Sequence, residues 1–111
     1  MMSNYNLELF KLKADLCKVF SDPKRLLIIS ELRNREKQVG DLANTLEMSQ
    51  AEVSRQLALL RSKGVVQSRR DGTCIYYELT DIRIVEACDL VHEVLLSNLE
   101  KNRELAERHL A

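Results

Sequence analysis

Gln50, Ala51, Ser54 and Arg55 fall on one side of a short segment if that segment is helical. Gln50 offers an amide that can pair with adenine, and Arg55 a guanidinium that suits guanine or a phosphate. Ser54 can bond base edges or backbone, and the Ala51 methyl can meet the methyl of thymine. A second group, Arg69, Arg70 and Thr73, flanks Asp71-Gly72. Arginine at a tight hairpin can reach along a phosphate backbone or into a minor groove. Neighbours on a strand point to opposite faces, so one of the two arginines is expected to make the direct contact. A third group is softer. Cys88 and His92 lie at i and i+4, a spacing that can hold one metal ion, with Asp89 or Glu93 assisting and Cys17 approaching from the first helix. Thiolate there would favour zinc, copper(I) or arsenic(III) over hard cations. Against this, cysteine is often a small buried hydrophobe, and Cys88 lies on an apolar stripe. A redox switch through Cys17, Cys74 or Cys88 would need a lowered thiol pKa, which sequence does not reveal. No metal site is therefore assigned.

The elements that must position these groups are legible from periodicity. Leu9, Leu12, Leu16 and Phe20 recur at helical spacing and predict a helix over residues 5–19. Asp22-Pro23 suits an N-cap followed by a first helical proline, opening a helix that runs to about Asn34. Val39, Leu42, Ala43 and Leu46 mark one buried helical face. After the short connection Glu47-Met48, Ser49-Gln50-Ala51-Glu52 reads as a capping box. The Ser49 hydroxyl would take the N–H of residue 52, and Glu52 would reach back. Val53, Leu57 and Leu60 form the buried stripe of that helix, and Gly64 closes it. Two strand-like runs, Val65–Arg70 and Thr73–Leu79, are joined by the hairpin signal Asp71-Gly72. Ile75, Tyr77 and Leu79 share one face of the second. A last helix over 81–108 carries Val85, Cys88, Val91, Leu95 and Leu99. The plan is mainly α with a small β-hairpin wing: a winged helix-turn-helix in one domain over 1–111, with the helix-turn-helix at 39–63 and the wing at 65–79.

The chain has 111 residues, 45% of them hydrophobic and 31% charged, with one proline and three glycines. That is enough for a core and too little loop chemistry for anything but a helical domain. No apolar run approaches a membrane span and the start carries no secretory pattern, so the expected compartment is the cytoplasm, with no membrane partner. Three widely spaced cysteines argue against a disulfide framework. Net charge is zero, but residues 49–73 carry five basic against two acidic side chains and residues 81–111 four basic against seven acidic. The first stretch is the candidate phosphate-binding face.

In order, Phe20-Ser21-Asp22-Pro23-Lys24-Arg25-Leu26-Leu27-Ile28, Asp41-Leu42-Ala43, Ser49 to Leu57, and Gly64-Val65-Val66 through Arg69-Arg70-Asp71-Gly72 to Tyr76-Tyr77-Glu78-Leu79 form a specific signature. Over roughly residues 10–95 the chain resembles the ArsR/SmtB (arsenic-repressor) family of winged-helix regulators. The resemblance implies a homodimer built from the first and last helices, and repression by operator occupancy relieved by a metal, metalloid or oxidant. It also implies DNA contacts at Gln50, Ala51, Ser54 and Arg55. The metal sites of the family depart here. Its thiolate pair falls on Gln38 and Gly40. Of its last-helix zinc set Asp81 is present, but Arg83 stands at the first His position and Val94, not His92, at the second.

Two uncovered apolar stripes on the terminal helices also favour a dimer, because a chain this small has little core to cover both. A two-fold dimer would read a roughly palindromic operator in double-stranded DNA. The competing reading is a winged-helix module that binds protein instead of DNA. It would need apolar anchors on the exposed face of the helix from Gln50, and Ala51, Ser54 and Arg55 are not such anchors. Nothing resembles a catalytic constellation: there is no phosphate-cradling glycine loop and no nucleophile with a recognisable base. An enzyme is not expected.

Overall fold

Ser49, Asp22 and Asn6 each start a helix by the same device, a side-chain oxygen that accepts a backbone N–H otherwise left without a partner. The computed structural model describes residues 5–110. Helix α1 spans Leu7–Cys17 and passes through a 3-10 turn, Lys18–Phe20, into α2, Pro23–Glu31. Helix α3 spans Val39–Leu46 and α4 Gln50–Ser62. Strands β1, Val66–Asp71, and β2, Cys74–Leu79, pair antiparallel, and α5 spans Arg83–Leu110.

The core lies where α2, α3, α4 and the start of α5 meet the base of the hairpin. Ile28, Ile29, Leu42, Val53, Leu57 and Leu60 are fully buried there, with Val65, Val66 and Val85 closing the hairpin and α5 sides. The stripes expected on α3 and α4 are the ones that fill it. The α3–α4 connection turns on Glu47, whose φ of 54° places it in the left-handed region. Gly64, with φ of 74°, ends α4 in the same way.

Four local expectations are corrected. Helix α2 stops at Glu31 instead of near Asn34: its last turn tightens, with Arg33 N–H donating to Ser30 O at 3.2 Å. Arg33 then turns to α5, where Nη1 and Nη2 donate to Asp89 at 2.7 and 2.8 Å. The hairpin loop is Gly72-Thr73, because Asp71 pairs with Cys74. Gly72 alone has positive φ, 63°, which fits a turn with glycine first; an Asp71-Gly72 loop would need positive φ at Asp71 as well. The capping box is half formed: Glu52 N–H donates to Ser49 Oγ at 3.1 Å, while the Glu52 carboxylate is engaged elsewhere. On β2, Tyr77 and Leu79 are half-buried but Ile75 is exposed near the wing tip. One pairing has no periodic signal in the sequence: Lys37 and Tyr77 exchange backbone hydrogen bonds at 2.9 and 2.8 Å, adding a third, single-residue rung that ties the wing to the start of α3.

The ends behave differently from the middle. Helix α1 buries none of its residues, and Leu9 and Leu12 are 58% and 68% exposed. On α5, Val85 is buried, but Val91, Leu95 and Leu99 are more than half exposed. The radius of gyration is 17.9 Å, against the ~13 Å expected for a compact chain of this length. The excess comes from two helices whose apolar faces have no cover in their own protomer. No helix among the described residues is long and apolar enough to cross a membrane.

Candidate nucleic-acid interface

Helix α4 keeps its Val53, Gln56, Leu57 and Leu60 side inside and its Gln50, Ala51, Ser54, Arg55 and Ala58 side in solvent. The outward side is low and polar, as a helix that must approach base-pair edges requires. Its first turn has free backbone N–H groups, which favour phosphate.

The cations around this face are not equally available. Arg55 donates to Glu52 Oε2 from Nε at 3.0 Å and from Nη2 at 2.6 Å. Lys24, from the start of α2, lies 3.4 Å from the other oxygen of the same carboxylate. The hydrogen bonds of Arg55, then those of Gln56 and Lys24, hold Glu52 down to about 2, so it stays anionic at any ordinary pH. On the wing, Arg69 is clamped to Glu36 through Nε at 2.8 Å and through Nη2, and its guanidinium lies 4.7 Å from the Tyr76 ring centre. Arg70, its neighbour, is exposed and has no acidic partner among the described residues. Thr73 is exposed in the loop. The strand alternation thus separates the two arginines into one structural and one open cation. Lys63, at the end of α4, is tied to Asp15 of α1 by two contacts of 2.8 Å. Acids distant in sequence, Asp15 and Glu36, therefore neutralise part of the positive stretch counted along the chain.

Behind the face lies a polar chain that periodicity did not reveal. Gln56 is 1% exposed. Its Nε2 donates to Glu52 Oε1 and its Oε1 accepts from Arg25 Nη1, each at 3.3 Å. Arg25 also donates to Val19 O at 3.3 Å and Lys18 O at 3.1 Å, which binds the 3-10 turn after α1 to α4. The only sequence signal for these partners was Lys24-Arg25 following Asp22-Pro23.

The soft-metal candidates are only partly brought together. Cys88 and His92 line a groove of about 370 Å3 with Phe20, Leu26, Arg33 and Asp89, but Cys17 does not. Asp89 is committed to Arg33, and Asp81 accepts from Arg83 through both carboxylate oxygens. Burial, then the nearby Asp89 charge, pushes the Cys88 thiol up, away from thiolate. Among the described residues, no group of three or more His, Cys, Asp or Glu side chains is placed to hold a metal ion.

A helix-turn-helix with an open polar second helix and a wing that presents the open cation Arg70 defines a DNA-binding transcriptional regulator. Residues 22–68 match the family described as bacterial regulatory protein, arsR family. The HTH-type transcriptional regulator Rv0081 of Mycobacterium tuberculosis is 35% identical over 88 residues, which cover 78% of this chain and 77% of the relative. Its crystal structure matches with a TM-score of 0.76 at 34% identity, over 85% of this chain and 95% of that one. The HTH-type transcriptional regulator NmtR of the same organism is 34% identical over 96 residues, 86% of this chain and 78% of the relative. The solution structure of the homodimeric winged helix-turn-helix DNA-binding domain Mb0332 of Mycobacterium bovis matches with a TM-score of 0.75 at 29% identity, over 86% of this chain and 88% of that one. The chain belongs to the ArsR family of bacterial regulatory proteins. It is a transcriptional regulator and not an enzyme.

Proposed function

We propose that the chain is a cytoplasmic homodimeric repressor that occupies a palindromic operator and leaves it when an inducer binds. Gln50, Ala51, Ser54 and Arg55 enter the major groove, and Arg70 and Thr73 of the wing hold the adjacent backbone. Arg69 supports the wing from behind. The observation that carries this reading is the exposed, unobstructed polar side of α4, set on a helix whose other side is fully buried. The exposed apolar faces of α1 and α5 support dimerisation through residues 5–19 and 81–108, as does the homodimeric state of the Mycobacterium bovis domain. Two such subunits would place two α4 helices on half-sites about one helical turn, ~34 Å, apart or a multiple of it.

The inducer classes this reading admits are a thiophilic metal, a metalloid and an oxidant. The engagement of Asp81 and Asp89 by arginines weighs against a carboxylate-rich metal site on α5, and of the soft candidates only Cys88 and His92 share a groove, Cys17 lying outside it. A protein-binding module is disfavoured because the exposed side of α4 from Gln50 to Ala58 presents no large apolar anchor.

The test is retention on genomic DNA fragments, repeated with zinc, copper(I), arsenite and peroxide. Retention on a small set of fragments that falls steeply with salt is expected, with release by one of the additives. Equal retention on all fragments, or none at low salt, would overturn the reading.

A further inference from the structure

We infer that Glu52 is a positioning residue for sequence discrimination: it presents the end-on edge of Arg55 to a guanine and cancels the Arg55 charge towards phosphates. This rests on the reading that the Arg55 side of α4 faces DNA.

A carboxylate next to a DNA-binding face is costly, since it repels the phosphates the face must approach. Helix capping is not the reason the carboxylate stands here, because Ser49 already caps α4 and the carboxylate turns to Arg55 instead. The geometry supplies one. Arginine has five donors in a rigid planar fork. Glu52 takes the side-on edge, Nε and Nη2, through one oxygen. Nη1 and the second Nη2 hydrogen, the edge that fits the O6 and N7 acceptors of guanine, have no partner among the described residues. The arginine is thus oriented by one anion while keeping a bidentate pair of donors for a base.

The carboxylate is itself fixed. Its other oxygen accepts from buried Gln56 and faces Lys24, and Gln56 is held by Arg25, which is anchored on the carbonyls of Lys18 and Val19. The Glu52 side chain is 18% exposed against 68% for Arg55. The anion is the stationary partner, and the arginine is the outward one. A clamped pair carries no net charge, so on arbitrary DNA it releases no counterions. On a guanine the end-on edge adds hydrogen bonds without breaking the clamp.

The test uses the full chain, a site selected by it from random duplexes, and a mixed-sequence duplex of equal length. Arg55→Ala should weaken binding to the selected site roughly 5- to 150-fold per half-site and relax the preference for one guanine. Because it leaves the Glu52 charge without its main cation, it should lower mixed-sequence affinity slightly, far less than affinity for the selected site, whereas Arg55→Ala/Glu52→Gln should leave mixed-sequence affinity and its salt slope unchanged. Glu52→Gln, which keeps shape and loses charge, should raise mixed-sequence affinity and steepen the slope by about 0.9 per cation released. The ratio between the two duplexes then falls, and it should not fall further in Arg55→Ala/Glu52→Gln than in Arg55→Ala.

Equal losses on both duplexes in Arg55→Ala would overturn the role of Glu52 while sparing the interface. So would an unchanged ratio in Glu52→Gln. No change on either duplex in Arg55→Ala would instead remove the interface assignment beneath it. If Glu52→Gln did not fold, the two Arg55→Ala measurements decide alone, since Arg55 is an exposed side chain.

Discussion

Arg69 and Glu36 are joined by a two-pronged contact between β1 and the segment leading into α3, with Arg69 Nε 2.8 Å from Glu36 Oε2. The bond turns one of the wing's two adjacent arginines inward as a strut and leaves Arg70 as the open cation at the tip. The wing is therefore held against the body by a side-chain clamp as well as by the Lys37–Tyr77 rung.

The two arginines should fail differently. Arg70→Ala is expected to weaken binding to every duplex by a similar factor and to reduce the salt slope by about 0.9 for each phosphate it no longer neutralises. Arg69→Ala should move the slope less and lower the thermal midpoint more, because it removes the clamp and the stacking on Tyr76. Anisotropy titrations at several salt concentrations, with melting curves, separate the two. A larger slope change for Arg69→Ala would reverse the assignment.

Gln56 should matter to folding out of proportion to its polarity. Replacing it by leucine removes a donor and an acceptor from a buried chain, leaving Arg25 Nη1 and one Glu52 oxygen without that partner. A loss of about 1–3 kcal/mol in denaturant unfolding is expected, the range for buried groups left unpaired. Ser54→Ala, on the exposed side of the same helix, should change stability by under about 0.5 kcal/mol. Equal stability of Gln56→Leu and the parent chain would show that the polar chain holds nothing.

How much of this was legible follows from the kind of signal each feature leaves. Helix starts at Asp22 and Ser49, the stop at Gly64 and the buried stripes of α3 and α4 depend on neighbours within a turn or two, so residue types reveal them. The loop position at Gly72-Thr73 depends on which residues adopt positive φ, and Asp-Gly is compatible with two answers. The failure of Glu52 to complete the capping box depends on which partner its carboxylate takes, Arg55 and Gln56 within one turn and Lys24 from α2, and the choice of Arg69 over Arg70 as the strut depends on Glu36, far away in sequence. The positive balance of residues 49–73 is smaller in space than along the chain, because Asp15 and Glu36 come from outside the window. The polar face of α4 was visible as a set of residues, but its electrostatic state was not.

The terminal helices should assemble the protein. Leu12→Glu and Leu95→Glu alter side chains that are 68% and 52% exposed in the protomer, so each should fold and fail to dimerise. Sedimentation should show a monomer with a native helical spectrum, and operator binding should fall at least ~100-fold, as one subunit cannot span two half-sites. A dimer that survived both substitutions would place the interface elsewhere.

Acid should loosen the molecule with a defined sign. Glu52 and Asp81 are each held at about 2, below their ordinary 4.5 and 3.8, by Arg55 and Arg83 respectively. Asp15, Glu36 and Asp89 shift the same way beside Lys63, Arg69 and Arg33. A value lower in the folded than in the unfolded state contributes stability above the unfolded value and loses it as pH falls towards the folded one. The denaturation midpoint should therefore fall progressively from about pH 5 towards pH 2. Asp81→Asn and Glu52→Gln should each flatten that limb, and the effect should shrink in high salt because the partner arginines, Arg83 and Arg55, are exposed. A midpoint that rose on acidification would contradict the ion-pair assignments.

The central claim is that the outward side of α4 lies against base-pair edges. An NMR titration of the labelled dimer with its selected operator tests it residue by residue. The largest changes are expected on the amides of Gln50, Ala51, Ser54 and Arg55 and on the Gln50 and Arg55 side chains, with a second group at Arg70 to Thr73. Large changes confined to α1, α5 or the Cys88 groove, with the α4 side silent, would contradict it.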